Sequence, residues 1–251
     1  MQHISHRIEH HTEPREGYIR KLIAEGEHQR LDFKFGITDS RKIARTLAAF
    51  SNTDGGRLLV GVKDNGAIAG VRSEEEFYMV QAASDLYTRP VVPFQVKEWS
   101  VEKKTVLEII ILPQPKILCK APGKDGALQV FIRVKAENLP MNSVWLKAWH
   151  MRHSGTGVTI HYSEKEKYLF SYLENNSLIT LSKYCRLAGV HRKSAENILA
   201  AFLALGMIEM VFSETGNLYK LSDQYLTISP EQREDSMIRL LAWQSNKLNI
   251  L

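Results

Sequence analysis

The 251-residue chain carries 33 Lys+Arg and 28 Asp+Glu, a formal charge of +5, with 44% hydrophobic and 24% charged residues. This balance excludes global disorder, and no apolar run approaches the ~18–20 residues of a membrane span. Two cysteines, Cys119 and Cys185, are too few for a disulfide scaffold or a Cys-based zinc site. The length suits two domains of roughly 100–150 residues, and the expectation is a cytoplasmic, mildly basic protein with no membrane partner. The whole excess charge lies in residues 1–163, with 23 Lys+Arg against 18 Asp+Glu. His3, His6, His10 and His11 read as a solvated start rather than a metal site or signal peptide, because no further ligands and no apolar stretch accompany them.

The first helix is expected over 16–25, with Tyr18 and Leu22 on its apolar side and Gly26 ending it. Residues 30–35 alternate as a strand. Thr38, Asp39 and Ser40 offer an N-cap for a helix to Asn52, with Ile43, Leu47 and Phe50 facing in. A tight turn over 52–56 leads into a buried strand at 57–62, and Asn65-Gly66 marks a hairpin turn with a returning strand at 67–71. Ser73 followed by Glu74, Glu75 and Glu76 is a capping box whose carboxylates suit a helix N-terminus better than a metal. Strands at 94–99, 105–112 and 127–134 follow, then a partly helical segment holding Trp145 and Trp149. Short strands interleaved with helices define an α+β domain over 16–150.

Residues 153–157 read as a linker. Beyond it, helices at 164–175, 181–188 and 191–205, a short extended piece at 177–180 and strands at 207–212 and 218–221 give the order of a winged helix-turn-helix over 163–223. Ala195, Ile198, Leu199 and Phe202 fall on one face of the third helix. Arg192, Lys193 and Asn197 stand on its other side, where such a helix meets base edges and phosphates. A tail over 224–251 contains a further amphipathic helix candidate at 231–243, which leaves a homodimer open.

The most specific string is Gly26, Glu27, then L-D-F-K at 31–34, A-F-S-N-T-D-G-G at 49–56 and G-V-K-D-N-G at 61–66, with Phe131, Ile132, Arg133 and Val134 later. It resembles the Schlafen AlbA-like domain, with its G-E-x(4)-E-F-K strand, A-F-A-N-T-x-G-G turn and G-V-x-D-x-G hairpin. The resemblance implies a nucleic-acid-associated α/β domain, often joined to a winged helix in bacterial regulators regarded as DNA-binding or ATP-binding. Asn52, Thr53, Gly55 and Gly56 could turn backbone N–H groups toward a phosphate or nucleotide, although the Gly-Lys-Ser/Thr of a P-loop is missing. Some eukaryotic members are metal-dependent endoribonucleases with three carboxylates. The matching positions here are Glu27, Asp32 and Asp64, which would hold Mg or Mn, with Asp32 one methylene shorter than the family's Glu. The preferred expectation is a nonenzymatic binder, acting as a transcriptional regulator on DNA rather than RNA. Its basic surface would come from Arg30, Lys34, Arg41, Lys42 and Arg45, with Arg192, Lys193 and Asn197 in the second domain.

Overall fold

The computed structural model describes residues 8–12, 17–71, 74–155, 158, 163–213 and 216–227. His3, His6, the Ser73 cap and the helix candidate at 231–243 lie outside these. The chain forms two compact units, Met1–Met141 and Asn142–Leu251.

The first unit contains, in order, β1 (Ile8–Thr12), α1 (Tyr18–Glu25), β2 (Leu31–Lys34), α2 (Ser40–Ser51), β3 (Gly56–Val60), α3 (Glu75–Tyr87), β4 (Phe94–Val101), β5 (Lys104–Ile111), β6 (Lys120–Pro122), β7 (Leu128–Val134) and β8 (Glu137–Pro140). Five strands make a sheet in the order β1-β4-β5-β3-β2, and β6-β7-β8 make a second. Only the outer pairs of the large sheet, β1 with β4 and β2 with β3, run parallel. Alternate residues of β3 separate the two cores. Leu58 and Val60 join Ile43, Leu47, Phe50, Val96 and Ile109 on the α2 and α3 side. Leu59 joins Ile19, Phe33 and Trp99 on the α1 side. A strand covered on both faces reads as an unbroken apolar run, as Leu58, Leu59 and Val60 do.

The expected returning strand at 67–71 is not formed; it is a bent segment with a single bridge, Val62 to Ile68. Gly61 and Gly70 hold φ of 97° and 80°, and a Cβ on Gly61 would stand 3.0 Å from the Gly70 carbonyl carbon. Two positive-φ glycines packed against each other turn the chain out of a ladder.

The second unit contains α4 (Ser143–His153), α5 (Glu164–Asn176), β9 (Ile179–Thr180), α6 (Leu181–Leu187), α7 (Arg192–Ala204), β10 (Ile208–Ser213), β11 (Gly216–Leu221) and α8 (Asp223–Leu226). The strands pair antiparallel in the order β10-β11-β9. Side chains start the helices where the sequence supplies them. Ser163 and Glu166 close a capping box on α5, Thr180 accepts from Lys183 N on α6, and Asn142 accepts from Trp145 N on α4. The units divide ahead of α4, whereas the sequence pattern assigns that segment to the first domain. Val144 and Ala148 of α4 are buried with Leu169, Leu199, Phe202 and Tyr219, so this helix shares the second core. Ala200, Ala201, Phe202 and Leu203 are all buried, which means that the later turns of α7 are covered all round.

Phe202 is fully buried and meets Phe170 edge to face at 4.7 Å. Phe202→Ala leaves a cavity at the centre of this core and should cost roughly 3–5 kcal/mol in urea unfolding. A loss below about 1 kcal/mol would contradict this packing.

Candidate nucleic-acid interface

In β2 the sequence string becomes a charged cluster. The Asp32 side chain is 5% exposed and lies between two cations, Arg133 Nη2 at 3.0 Å and Lys34 Nζ at 2.8 Å. Arg133, 1% exposed, also donates to the carbonyls of His28 and Leu31 and to Asn138 Oδ1. Its guanidinium lies 5.1 Å over the Phe50 ring. Glu27 reaches the same place by a different route: its Oε1 accepts the Phe33 N–H at 2.8 Å. Burial, and then the neighbouring Asp32 carboxylate, push the Glu27 carboxyl up from its ordinary value against the pull of the Phe33 N–H and Lys34. Lys34 Nζ in turn donates to the Phe33 carbonyl at 2.7 Å. Since β2 is the edge of its sheet, Glu27, Lys34 and Arg133 occupy backbone groups that an edge strand otherwise leaves open.

Of the three expected metal ligands, the fold brings Glu27 and Asp32 together and leaves Asp64 exposed in the turn after β3. Among the described residues, no three His, Cys, Asp or Glu side chains group as a metal site. The residues present do not fit Mg or Mn, because Arg133 and Lys34 already supply the positive charge beside Asp32.

The turn after α2 is a lock. Asn52 Nδ2 donates to the carbonyls of Cys119 and Phe131, both at 2.8 Å, and its Oδ1 accepts from Cys119 N at 2.7 Å. Thr53 Oγ1 donates to Ala49 O. A Cβ on Gly55 would stand 2.6 Å from Ile111 O, and one on Gly56 would stand 2.5 Å from the Phe50 ring. Asn52 and Gly55 are thereby explained by packing of the turn against Cys119, β7 and β5, Gly56 by its contact with the Phe50 ring, and Thr53 by its bond to the α2 backbone. Both Nδ2 hydrogens of the Asn52 amide and one lone pair of its oxygen are thus committed within the fold.

The cations of the first unit divide by use. Arg41 and Lys42 are exposed at the start of α2, with the Arg41 guanidinium 5.5 Å over Tyr87. Arg30 is exposed ahead of β2. Arg45 donates to the carbonyls of Pro122 and Gly123 at 2.7 and 3.2 Å, and Lys34 serves Asp32. These two are structural rather than free surface charges.

In the second unit Arg192, Lys193, Ser194 and Asn197 are exposed on the first turns of α7. Glu196 sits behind them with its side chain 13% exposed, 3.3 Å from Arg192 Nε and 2.9 Å from Lys147 Nζ. The Lys147 ammonium, donating to Glu196, holds its carboxyl below the ordinary carboxylate range. Lys147 Nζ also donates to Asn197 Oδ1 at 2.9 Å.

Sequence reasoning named Arg133 only within the family string, with no role, and missed Lys147 and Glu108. Glu108 is fully buried in β5 and accepts from Tyr18 Oη, Arg57 Nε and Trp99 Nε1. A lone carboxylate within the apolar run V-L-E-I-I-I was the available signal, since a buried charge needs partners. Lys147 gave none, because its partners lie 49 and 50 residues away.

No curated relative matches the chain. Among solved structures it is similar to the DIP2311 protein from Corynebacterium diphtheriae, at 16% identity and a TM-score of 0.41, over 81% of this chain and 37% of that one. It is also similar to the N-terminal domain of a RecG-related protein from Nitrosomonas europaea, at 20% identity and a TM-score of 0.32, over 48% of this chain and 91% of that one. The chain thus spans 37% of the length of the Corynebacterium protein. Residues 27–142 match the family described as Schlafen, AlbA_2, a stretch that takes in Glu27, the Asn52 lock and Arg133.

Proposed function

We propose that the chain is a nucleic-acid-binding protein, a transcriptional regulator whose second unit works as a winged helix-turn-helix on duplex DNA. Its first unit adds phosphate contacts through the start of α2. The observation that carries this reading is the distribution of residues on α7. Arg192, Lys193, Ser194 and Asn197 are exposed on its first turns, while residues 199–203 are buried. That helix follows α6 after a short turn and precedes the β10–β11 hairpin. A recognition helix inserts its N-terminal residues into the major groove and holds phosphates with flanking cations, which is the chemistry left exposed here. The Schlafen, AlbA_2 match over residues 27–142 supports nucleic-acid association for the first unit. Nuclease chemistry is the weaker reading, because Asp32 is neutralised by Arg133 and Lys34.

Electrophoretic shifts of the full chain on random duplex across a salt series test the phosphate surface. Replacing Arg41 and Lys42 with Ala should weaken binding on every sequence and flatten the salt slope by about 0.9 for each phosphate that is no longer neutralised. Lys193→Ala should act in the same sequence-independent way. Unchanged affinity and slope in these variants would remove both surfaces from the interface.

The raised Glu27 carboxyl gives a pH prediction. A group whose pKa rises on folding stabilises the fold below its unfolded pKa, and that contribution is lost as pH rises through the folded pKa. Glu27→Gln keeps an oxygen for the Phe33 N–H and removes the charge beside Asp32. In urea unfolding it should equal or exceed the wild type in stability at pH 7, with the difference closing toward pH 4. Adding Mn²⁺ should leave the wild-type Tm unchanged. A large destabilisation of Glu27→Gln at pH 7 would contradict the raised carboxyl, and a rise in Tm with Mn²⁺ would restore the metal reading.

A further inference from the structure

Asn197 is exposed on the second turn of α7, and its Oδ1 lies 2.9 Å from Lys147 Nζ. An ammonium group has three donors and no acceptor, so the amide oxygen, and not the NH₂, must face Lys147. The same Nζ donates to Glu196 Oε2 at 2.9 Å, and Glu196 is held on its other oxygen by Arg192 at 3.3 Å. Lys147 therefore stands between two acceptors on α7. Its own helix is fixed there as well: Val144 and Ala148 are buried, and Arg152 donates to the carbonyls of Leu203 and Ala204 at the far end of α7. Packing at one end and a capped carboxy terminus at the other hold Lys147 in position along α7.

We propose that Lys147, by placing its ammonium on the Asn197 amide oxygen, makes Asn197 read mainly as a donor, so that the base Asn197 meets in the major groove is guanine. This rests on the reading of α7 as the recognition helix. A free Asn amide, with one acceptor and two donors, pairs with adenine through N7 and the N6 amino group. Here Lys147 takes one lone pair of the acceptor and sets an ammonium beside the other, so a base amino group approaching Oδ1 meets a positive charge, while both Nδ2 hydrogens stay free to donate. Guanine presents two acceptors, O6 and N7, side by side. Adenine presents one acceptor next to an amino donor, which would face the amide's own donors, and cytosine presents a donor alone. Lys147 is thus a positioning residue: it touches no base and acts by choosing which half of the Asn197 amide is available.

In vitro selection by the full chain from a randomised duplex pool, followed by affinities on the selected site and its single-base variants, tests this. The wild type should select guanine at one position whose preference Asn197→Ala abolishes, with the other positions unchanged. Lys147→Met releases the amide oxygen, and the guanine-over-adenine preference at that position should shrink by about 5–150-fold. Lys147→Arg restores a donor and should restore guanine. Asn197→Asp, a change at an exposed position that spares the core, should move the preference to cytosine, whose N4 donates to a carboxylate. Circular dichroism melts confirm that each variant is folded. Adenine at the Asn197-dependent position, or a preference that Lys147→Met leaves intact, overturns the inference and leaves the function standing. Duplex binding in which no position responds to Asn197→Ala does the same. A full chain that retains no duplex at all overturns the function and the inference with it.

Discussion

The first unit is organised around one buried guanidinium. Arg133 leaves β7 and reaches Asp32, the carbonyls of His28 and Leu31, and Asn138, with the face of Phe50 beneath it. A guanidinium with 1% exposure is tolerable only if its donors are filled and its charge is met, because an uncompensated buried charge costs roughly 3–5 kcal/mol when its partner is removed. The requirement fixes the positions of everything Arg133 touches. β2 is held at the sheet edge, α2 is drawn in through Phe50, and the β7–β8 ribbon is set against both. Glu108 does for the opposite face what Arg133 does here, gathering Tyr18, Arg57 and Trp99 around one buried carboxylate. Two ionic centres on either side of the sheet specify how the helices meet it, over and above the apolar contacts.

Much of this was legible in the sequence, element by element. The helix to Asn52, the buried strand after it and the order helix, strand, helix, helix, hairpin in the second unit follow from local signals: an Asp39 cap, a 3.6-residue apolar stripe on α7, glycine at helix ends. The string at 26–34 and 49–66 was enough to bring out the Schlafen AlbA-like resemblance. What it did not disclose was the use of those residues. Asp32 carried the look of a metal ligand because its partner stands 101 residues on, and no local pattern pairs a strand carboxylate with a distant arginine. Asn52, Gly55 and Gly56 looked like a phosphate cradle for the same reason. A turn rich in glycine and asparagine serves a ligand or a close-packed neighbour equally well, and only the positions of Cys119, Phe131 and Ile111 decide between them. The strand expected at 67–71 failed where two glycines abut. α4 was assigned to the wrong side of the boundary because its apolar residues, Val144, Trp145 and Ala148, look the same whichever core they enter.

α4 also changes what α7 can do. An amphipathic surface helix packs on one face and leaves the other exposed along its length. On α7 residues 199–203 are covered on every side, and Lys147 and Glu196 form a charge network behind the exposed Arg192 and Asn197. The surface of α7 left exposed is therefore short and polar, confined to its first turns, with Glu196 and Lys147 behind it.

The reach of the Arg133 and Asn52 contacts also sets an order of events on the ribosome. Asp32 is made 101 residues before the arginine that neutralises it, and the Asn52 amide waits 67 and 79 residues for Cys119 and Phe131. At synthesis rates of about 5–20 residues per second, Asp32 remains without Arg133 for roughly 5–20 s, with Lys34 its one local cation. During that interval α2 and β2 exist without the ion pair and the amide lock that later define their places, and the edge of β2 has Glu27 and Lys34 as its local guards. Both lie close in sequence to the strand whose backbone they engage, so they can act as soon as the segment emerges. The contacts that fill the Phe33 backbone groups are thus local, whereas the ion pair that holds Asp32 to Arg133 spans 101 residues.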